Sequence, residues 1–127
     1  MKIYLAGPMR GIPDFNFPAF KKGAAYLRSQ GHDVFSPAER DEADFGATIQ
    51  KKGDEHAFAE SVGMTTDALR RRVFFFDAEY ICKHAQAIAL LPGWESSKGV
   101  KAEKALAEAL GLDVIVLGDA HVLSNLS

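Results

Sequence analysis

The sequence has very little cysteine and no long hydrophobic run. Cys82 is the single cysteine among 127 residues, which excludes an internal disulfide framework and a cysteine-rich metal site. No segment approaches the roughly 18 apolar residues that a membrane span requires, and the apolar opening at residues 3–6 is too short for a signal peptide. We therefore expect a soluble, cytoplasmic protein with no membrane partner.

Neither sign of charge is in excess. The chain has 15 Lys and Arg against 17 Asp and Glu, a net charge of −2, whereas a protein that grips the nucleic-acid backbone needs an excess of positive charge. The four histidines show no metal-ligand spacing, and neither a dinucleotide fingerprint nor a P-loop motif occurs. We therefore expect no nucleic-acid partner, no metal and no cofactor.

The apolar segments alternate between strand-like and helix-like patterns. With 47% hydrophobic and 25% charged residues, the composition is that of one globular domain over residues 1–127. Short strands are predicted at residues 2–6, 33–36, 87–91 and 114–117, of which the first and third are buried, and helices at residues 17–30, 66–84 and 98–110. This order predicts a three-layer α/β/α sandwich with a four- to five-stranded parallel sheet of the Rossmann or flavodoxin-like kind.

One segment does not fit this alternation. Residues 38–63 have weak periodicity and high charge, so we predict a long loop or lid there, with a short helix at residues 55–61. In open parallel sheets, ligands bind beyond the carboxyl ends of the strands, where the strand order reverses. The loops at residues 7–11 and 92–99 are therefore the candidate binding segments.

Two acidic residues lie close to apolar helix stripes. Glu103 falls among the apolar residues of the last helix, with no basic side chain three or four positions away. A carboxylate on a core-facing stripe is costly unless it has a partner, so Glu103 is either a functional group or a half-exposed residue at the margin of the stripe. Asp77 borders the stripe of its own helix, formed by Leu69, Val73, Phe76 and Tyr80. Its alternative is an ordinary ion pair with one of the arginines at residues 70–72.

The two candidate loops have features of anion sites. Ser97 and Gly99 stand at the start of the last helix, where hydroxyl and free N–H groups can bind phosphate; the alternative is that Ser97 simply caps the helix. Arg10 stands next to Gly11 and three positions after Gly7, so the backbone can approach a ligand while Arg10 offers a forked donor to an anion. The alternative for this loop is an ordinary strand-to-helix turn.

Four short motifs, in order along the chain, resemble one protein family. They are YLAGPMRG at residues 4–11, DAEYI at residues 77–81, Ser97 and Gly99 followed by Glu103, and VLS at residues 122–124. Together they resemble the nucleoside 2-deoxyribosyltransferase superfamily, and most closely its 2'-deoxynucleoside 5'-monophosphate N-hydrolase branch. The resemblance covers most of the chain except residues 38–63.

The resemblance implies a role for each matching residue. Glu103 would be the nucleophile that attacks C1' of the deoxyribose, Asp77 would supply or relay a proton to the leaving base, and Tyr4 would hold Glu103 in place. The substrate-binding residues would be Gly7, Met9, Arg10, Gly11, Ser97, Gly99 and Ser124. Ser124 would reach the neighbouring subunit's site, which implies a homodimer.

Within the family, Ser97 favours a nucleotide over a nucleoside. Transferases that act on free nucleosides commonly carry an acid at that position, whereas a serine at a helix N-terminus suits a 5'-phosphate. The sequence departs from the hydrolase branch at Pro8, where serine is usual, and at Gln86, where relatives often have aspartate. We therefore expect an enzyme of nucleotide metabolism that hydrolyses the N-glycosidic bond of a 2'-deoxynucleoside 5'-monophosphate. The alternatives are a deoxyribosyltransferase that exchanges bases and a nucleotide-binding module without turnover.

Overall fold

The computed structural model describes residues 1–45 and 55–119 of the chain. Its strands are β1 (Lys2–Ala6), β2 (Asp33–Phe35), β3 (Ala87–Leu90) and β4 (Asp113–Val116). Its helices are α1 (Phe17–Ser29), α2 (Pro37–Phe45), α3 (Glu55–Ser61), α4 (Thr66–Lys83) and α5 (Lys98–Ala109), and 3₁₀ turns occupy Pro13–Asn16 and Trp94–Ser96. No helix in these two ranges is long and apolar enough to cross a membrane.

The four strands form one parallel sheet in the order β2-β1-β3-β4. Helices cover the sheet, so the predicted three-layer α/β/α sandwich is confirmed, with four strands. The chain adds β2 on one side of β1 and then β3 and β4 on the other. The strand order therefore reverses between β1 and β3, and a crevice opens at their carboxyl ends.

Alternating side chains of the central strands point into two separate cores, as the two-residue period of a strand requires. Ile3 and Leu5 belong to the core that includes α1, α3 and the start of α4, among whose buried residues are Phe20, Phe58 and Leu69. The second core packs α4 and α5 against the sheet and contains Tyr4, Ala6, Ile81, Ile88, Leu90, Val100 and Ala107. Tyr4 thus faces the two helices that carry Asp77 and Glu103.

The prediction of a long loop over residues 38–63 is wrong for its first part, because Pro37–Phe45 is helical. Proline is well placed in the first helical turn, where its missing N–H costs nothing, and the Arg28 guanidinium of α1 bonds the Glu39 carboxylate at 2.7 Å. These features do not produce apolar periodicity, so the sequence pattern did not indicate a helix. The short helix expected at residues 55–61 is confirmed as α3, and residues 46–54 lie outside the described residues.

The other helices and strands begin and end within one or two residues of the predicted positions. The helix α4 is capped by Thr65, whose hydroxyl accepts from the Ala68 N–H at 3.1 Å. Asn16 precedes α1 in a left-handed conformation with φ of 62°, and its side-chain amide donates to the Pro8 carbonyl at 3.0 Å instead of capping the helix. That bond braces the loop between β1 and α1.

Candidate active site

A large cavity opens at the carboxyl ends of β1 and β3, where the fold predicts a ligand. Its volume is about 1330 Å³, more than the few hundred Å³ that a small ligand needs. The cavity is lined by every predicted site residue that falls in the described part of the chain. They are Tyr4, Gly7, Met9, Arg10, Gly11, Asp77, Ser97, Gly99 and Glu103. Ser124 lies outside the described residues.

Glu103 is buried on the inner face of α5, with 6% of its surface exposed. The half-exposed alternative is therefore wrong. The Tyr4 hydroxyl donates a hydrogen bond to Glu103 Oε2 at 2.7 Å. Burial, followed by the nearby charge of Asp77, raises the pKa of Glu103, the hydrogen bond from Tyr4 lowers it, and the net value is about 8. Glu103 is thus a partnered but strongly perturbed carboxyl group.

Asp77 is equally buried, with 5% of its surface exposed. Burial is the main cause that raises its pKa and the Asp41 carboxylate adds to it, whereas the Arg40 guanidinium and a hydrogen bond with Tyr4 lower it, and the net value is about 7. The expected ion pair with an arginine at residues 70–72 of the same helix is wrong. The arginine beside Asp77 is Arg40 of α2, with its Nη2 3.4 Å from Asp77 Oδ1.

Tyr4 links the two carboxyl groups. Its ring stacks on Phe35 with centroids 5.8 Å apart, and burial together with the charges of Glu103 and Asp77 raises its pKa well above the usual value. The phenol therefore keeps its single proton and can donate it to only one carboxyl at a time. Because each carboxylate disfavours ionisation of the other, the pair retains at least one proton up to slightly alkaline pH.

Backbone geometry explains the glycines near the site. A Cβ at Gly7 would lie 2.7 Å from Leu91 Cδ1, so only glycine lets this loop pack against the end of β3. Gly11 has φ of 77°, a left-handed conformation that favours glycine. Ser97 does cap α5, because its Oγ accepts from the Val100 N–H at 3.2 Å. A hydroxyl that accepts in this way still has its own proton to donate to a ligand.

Arg10 and Arg70 bind a shared carboxylate at the rim of the cavity. Glu55, the first residue of α3, lies 3.6 Å from Arg10 Nε and accepts a hydrogen bond from Arg70 Nε at 2.7 Å. Both arginines are about half-exposed, whereas only 15% of the Glu55 side chain is accessible. Sequence reasoning did not identify Glu55, Arg70 or Arg40 as site residues, because their ion pairs join elements that are far apart in the chain.

The two departures from the family pattern have different locations. Pro8 lines the cavity, and its carbonyl is held by Asn16. Gln86 instead lies at the opposite, amino end of the sheet, where its Oε1 accepts from the Lys2 N–H at 2.8 Å. It therefore joins β1 to the start of β3 and is not a site residue. Within residues 1–45 and 55–119, no group of three or more His, Cys, Asp or Glu side chains is placed to hold a metal ion.

The chain has the parallel α/β/α class of fold, with two buried carboxyl groups and a glycine-containing loop at the point where the strand order reverses, which is where open parallel sheets generally bind ligands. Within that class, residues 1–116 match the family model described as Domain of unknown function (DUF4406). The chain belongs to this family, which is related to the nucleoside deoxyribosyltransferase-like proteins. No curated protein matches the sequence.

Proposed function

We propose that this protein hydrolyses the N-glycosidic bond of a 2'-deoxynucleoside 5'-monophosphate to give the free base and deoxyribose 5-phosphate. The proposal rests chiefly on the buried arrangement of Tyr4, Glu103 and Asp77 in the cavity. Glycoside cleavage by two displacements needs one ionised carboxylate and one carboxylic acid in the same site. A pair of coupled carboxyl groups that shares one proton near neutral pH is suited to both roles.

In the first step, a carboxylate oxygen of Glu103 attacks C1' and forms an ester bond. The C1'–N bond breaks, its electron pair goes to the base, and the base takes the proton of Asp77. The hydrogen bond from Tyr4 stabilises the negative charge of Glu103 when Glu103 is ionised, and it fixes the orientation of the carboxylate. This reactive form is the less populated of the two singly protonated forms, because the pKa of Asp77, about 7, lies below that of Glu103, about 8. Asp77 serves as the acid, and the Arg40 guanidinium beside it stabilises the carboxylate that remains once the proton has gone to the base.

In the second step, water attacks C1' and the ester oxygen of Glu103 leaves with its electron pair as the carboxylate. Asp77, now ionised, takes the proton of the water. This restores both carboxyl groups to their starting forms and releases deoxyribose 5-phosphate. The same residue thus acts first as a general acid and then as a general base, as microscopic reversibility requires.

The phosphate would bind at the amino end of α5 and the loop after β1. Ser97, Gly99 and Gly11 supply a hydroxyl and backbone N–H groups there, and the helix dipole favours an anion. Arg10 adds a positive charge at the rim. These features support a nucleotide substrate over a nucleoside.

A second copy of the chain would complete the site with Ser124. The resemblance of residues 122–124 to a subunit-crossing segment supports this arrangement. An exposed aromatic row on α4 also supports it, because Phe74, Phe75 and Phe76 are 41%, 60% and 38% exposed, and Phe74 and Phe75 line the cavity. Exposed apolar patches of this kind mark interaction surfaces, so we propose a homodimer.

The first test is base release by Glu103→Gln, measured by chromatography with deoxynucleosides and their 5'-monophosphates. We expect the wild type to act on the monophosphates and the variant to lose about 10³-fold or more in kcat, as for other removed nucleophiles. Glu108→Gln is the matched control, since Glu108 lies on the same helix and pairs with Lys104 in solvent. Unchanged base release by Glu103→Gln would refute the mechanism.

A deoxyribosyltransferase is the second candidate, and the size of the cavity favours it. A volume of about 1330 Å³ leaves room for an acceptor base beside a bound deoxyribosyl group. Transfer would use the same Glu103 ester with a second base in place of water. A labelled base added to the assay distinguishes the two, because only transfer places the label in a new nucleoside or nucleotide. A nucleotide-binding module would instead show thermal stabilisation by ligand with no product.

A further inference from the structure

A third carboxylate faces the cavity beside Asp77. Asp41 of α2 is 6% exposed and lines the same wall. It comes from the helix that the sequence pattern did not predict, so no motif indicated it. Asp77 Oδ1, next to it, receives no hydrogen bond from the described residues. Two acceptor groups therefore stand side by side at the end of the cavity where the leaving base meets Asp77.

The countercharge for these two acids lies behind them. Arg40 Nη2 is 3.4 Å from Asp41 Oδ1 and 3.4 Å from Asp77 Oδ1, and its guanidinium lies 5.2 Å from the centre of the Phe76 ring. Of the three side chains, Asp41 and Asp77 line the cavity and Arg40 does not. A guanidinium favours the ionised form of a neighbouring carboxylate, and an ionised carboxylate only accepts hydrogen bonds.

The nucleobases differ in what they can offer to such an acceptor. Adenine and cytosine present an amino group where thymine presents a carbonyl oxygen, and guanine has an amino group beside its ring N–H. Uracil resembles thymine in this respect. A carboxylate attracts an amino group and repels a carbonyl oxygen at the same position. A polar site that matches one donor pattern rejects the wrong one strongly, because burial leaves the mismatched groups without water.

We propose that Asp41 selects the base of the substrate by accepting a hydrogen bond from an amino group. The substrates are then the 5'-monophosphates of amino-bearing bases, and those of uracil and thymine are rejected. This inference rests on the proposed function for the location of the base. Asp41 acts on specificity, whereas Asp77 acts on the proton of the leaving group.

The test compares kcat/KM for five substrates: the 5'-monophosphates of deoxyadenosine, deoxyguanosine, deoxycytidine, thymidine and deoxyuridine. In the wild type, kcat/KM for the best amino-bearing substrate exceeds kcat/KM for the thymidine and the deoxyuridine substrates by at least about 10-fold. Asp41→Asn reduces this ratio by about 10-fold, because the amide can donate to a carbonyl oxygen. Because the ratio compares substrates of the same protein at the same pH, a change in activity that affects all five substrates equally does not alter it. Glu39→Gln is the matched control, since Glu39 lies on α2 but pairs with Arg28 outside the cavity.

Binding to Glu103→Gln separates the failure of this inference from failure of the proposed function. Calorimetry with the same five monophosphates gives the base preference without turnover. If no base is released from any substrate but binding favours the amino-bearing bases and loses that preference in Asp41→Asn, Asp41 retains its role and the hydrolase function fails. Equal or better turnover of the thymidine or deoxyuridine substrate overturns the role of Asp41 and leaves the hydrolase intact.

Three further results of these experiments would overturn the role of Asp41 in base selection. An unchanged ratio in folded Asp41→Asn overturns the inference, and so does a lack of binding to all five monophosphates. If Asp41→Asn does not fold, Asp41→Ser removes the charge with a smaller side chain and the same loss of preference is expected. A wild type that favours uracil or thymine overturns the inference whatever the variants do.

Discussion

At the scale of single residues, the central feature is a pair of buried acids joined by one phenol. Tyr4, Asp77 and Glu103 come from three elements and have at most 6% of their surface exposed. Burial is the largest cause of the raised pKa of both carboxyl groups. The chemistry of such a site depends on which carboxyl group is protonated, so the pH dependence of activity and of stability tests the assignment directly.

Activity should have a bell-shaped pH dependence. The reactive form carries one proton on the pair; below about pH 7 both acids are protonated and the nucleophile is lost, and above about pH 8 both are ionised and the acid is lost. The maximum of kcat/KM for base release is therefore expected between about pH 7 and 8. A profile that stays flat from pH 5 to 9 would contradict this assignment.

Stability should fall as the pH rises, which is a separate consequence of the same burial. The folded-state pKa of Glu103, about 8, lies above its ordinary value of 4.5. The contribution of the protonated group to stability is therefore full below about pH 4.5 and is lost as the pH rises through about 8. Between pH 5.5 and 8.5 we expect the free energy of unfolding to decrease, on the order of 2–4 kcal/mol from Glu103.

Urea denaturation of the wild type and Glu103→Gln at these two pH values measures this effect. The variant lacks the ionisable group, so its unfolding free energy should change less with pH than that of the wild type. For each protein, the unfolding free energy at one pH is subtracted from that at the other, and this subtraction cancels the cost of burying the amide in the variant. An identical pH dependence in both proteins would show that the pKa of Glu103 is not raised in the folded protein, which contradicts this prediction.

At the scale of elements, α3 sets the charge at the rim of the site. Glu55 at its first position engages Arg10 and Arg70 together. A carboxylate between two guanidinium groups occupies the position that suits an anionic ligand. We therefore propose that Glu55 competes with the 5'-phosphate of the proposed substrate for Arg10.

Glu55→Gln should tighten the binding of monophosphates. Removing the carboxylate frees Arg10, so KM for a 2'-deoxynucleoside 5'-monophosphate is expected to fall about twofold to fivefold, the range of a partly exposed ion pair. The matching deoxynucleoside, which has no phosphate, provides the control and should keep its KM. An equal change for both would show that Glu55 acts on something other than the phosphate.

Elements with a clear hydrophobic period were predictable from the sequence, whereas elements held in place by ion pairs with distant parts of the chain were not. The strands and the helices α1 and α5 follow from short apolar runs and a 3.6-residue stripe, although only β1 and β3 are buried along most of their length and β4 is largely exposed. The position of helix α4 was also predicted correctly, but the set of residues on its buried face was not. The stripe through Phe76 is wrong, because α4 buries Leu69, Asp77 and Ile81 and leaves Phe76 38% exposed. An acid replaces an apolar residue on that inner face, and hydrophobic periodicity cannot identify such a position.

The candidate site shows the same division. Tyr4, Asp77, Glu103 and the two loops were predicted from short motifs, and the fold brings them to one cavity. Arg40, Asp41 and Glu55 were not, because their roles arise from the packing of α2 and α3 against distant elements. Contacts across the fold have no signature in a single sequence.

At the scale of the whole molecule, the sheet order brings these distant groups together. The reversal between β1 and β3 places residues 4, 77 and 103 around one crevice, with the aromatic row of α4 at its edge. A crevice bordered by exposed Phe74 and Phe75 is suited to closure by a second copy, which is the arrangement proposed above.

Subunit mixing tests whether Ser124 acts across an interface. Glu103→Gln and Ser124→Ala are each expected to be weakly active alone. A mixed dimer contains one site with an intact Glu103 and the partner's intact Ser124, so mixing should restore activity well above that of either variant. Sedimentation should show a dimer at micromolar concentration. A monomer, or no recovery in a mixed dimer, would contradict the proposed arrangement.

The most direct test of the central claim is the configuration at C1' after turnover. With methanol present as an alternative acceptor, the product is a methyl glycoside that cannot change anomer, and NMR reads its configuration. A covalent Glu103 ester requires two displacements and predicts the β-anomer, with the configuration of the nucleotide retained. The α-anomer would show direct attack by solvent and contradict a nucleophilic role for Glu103.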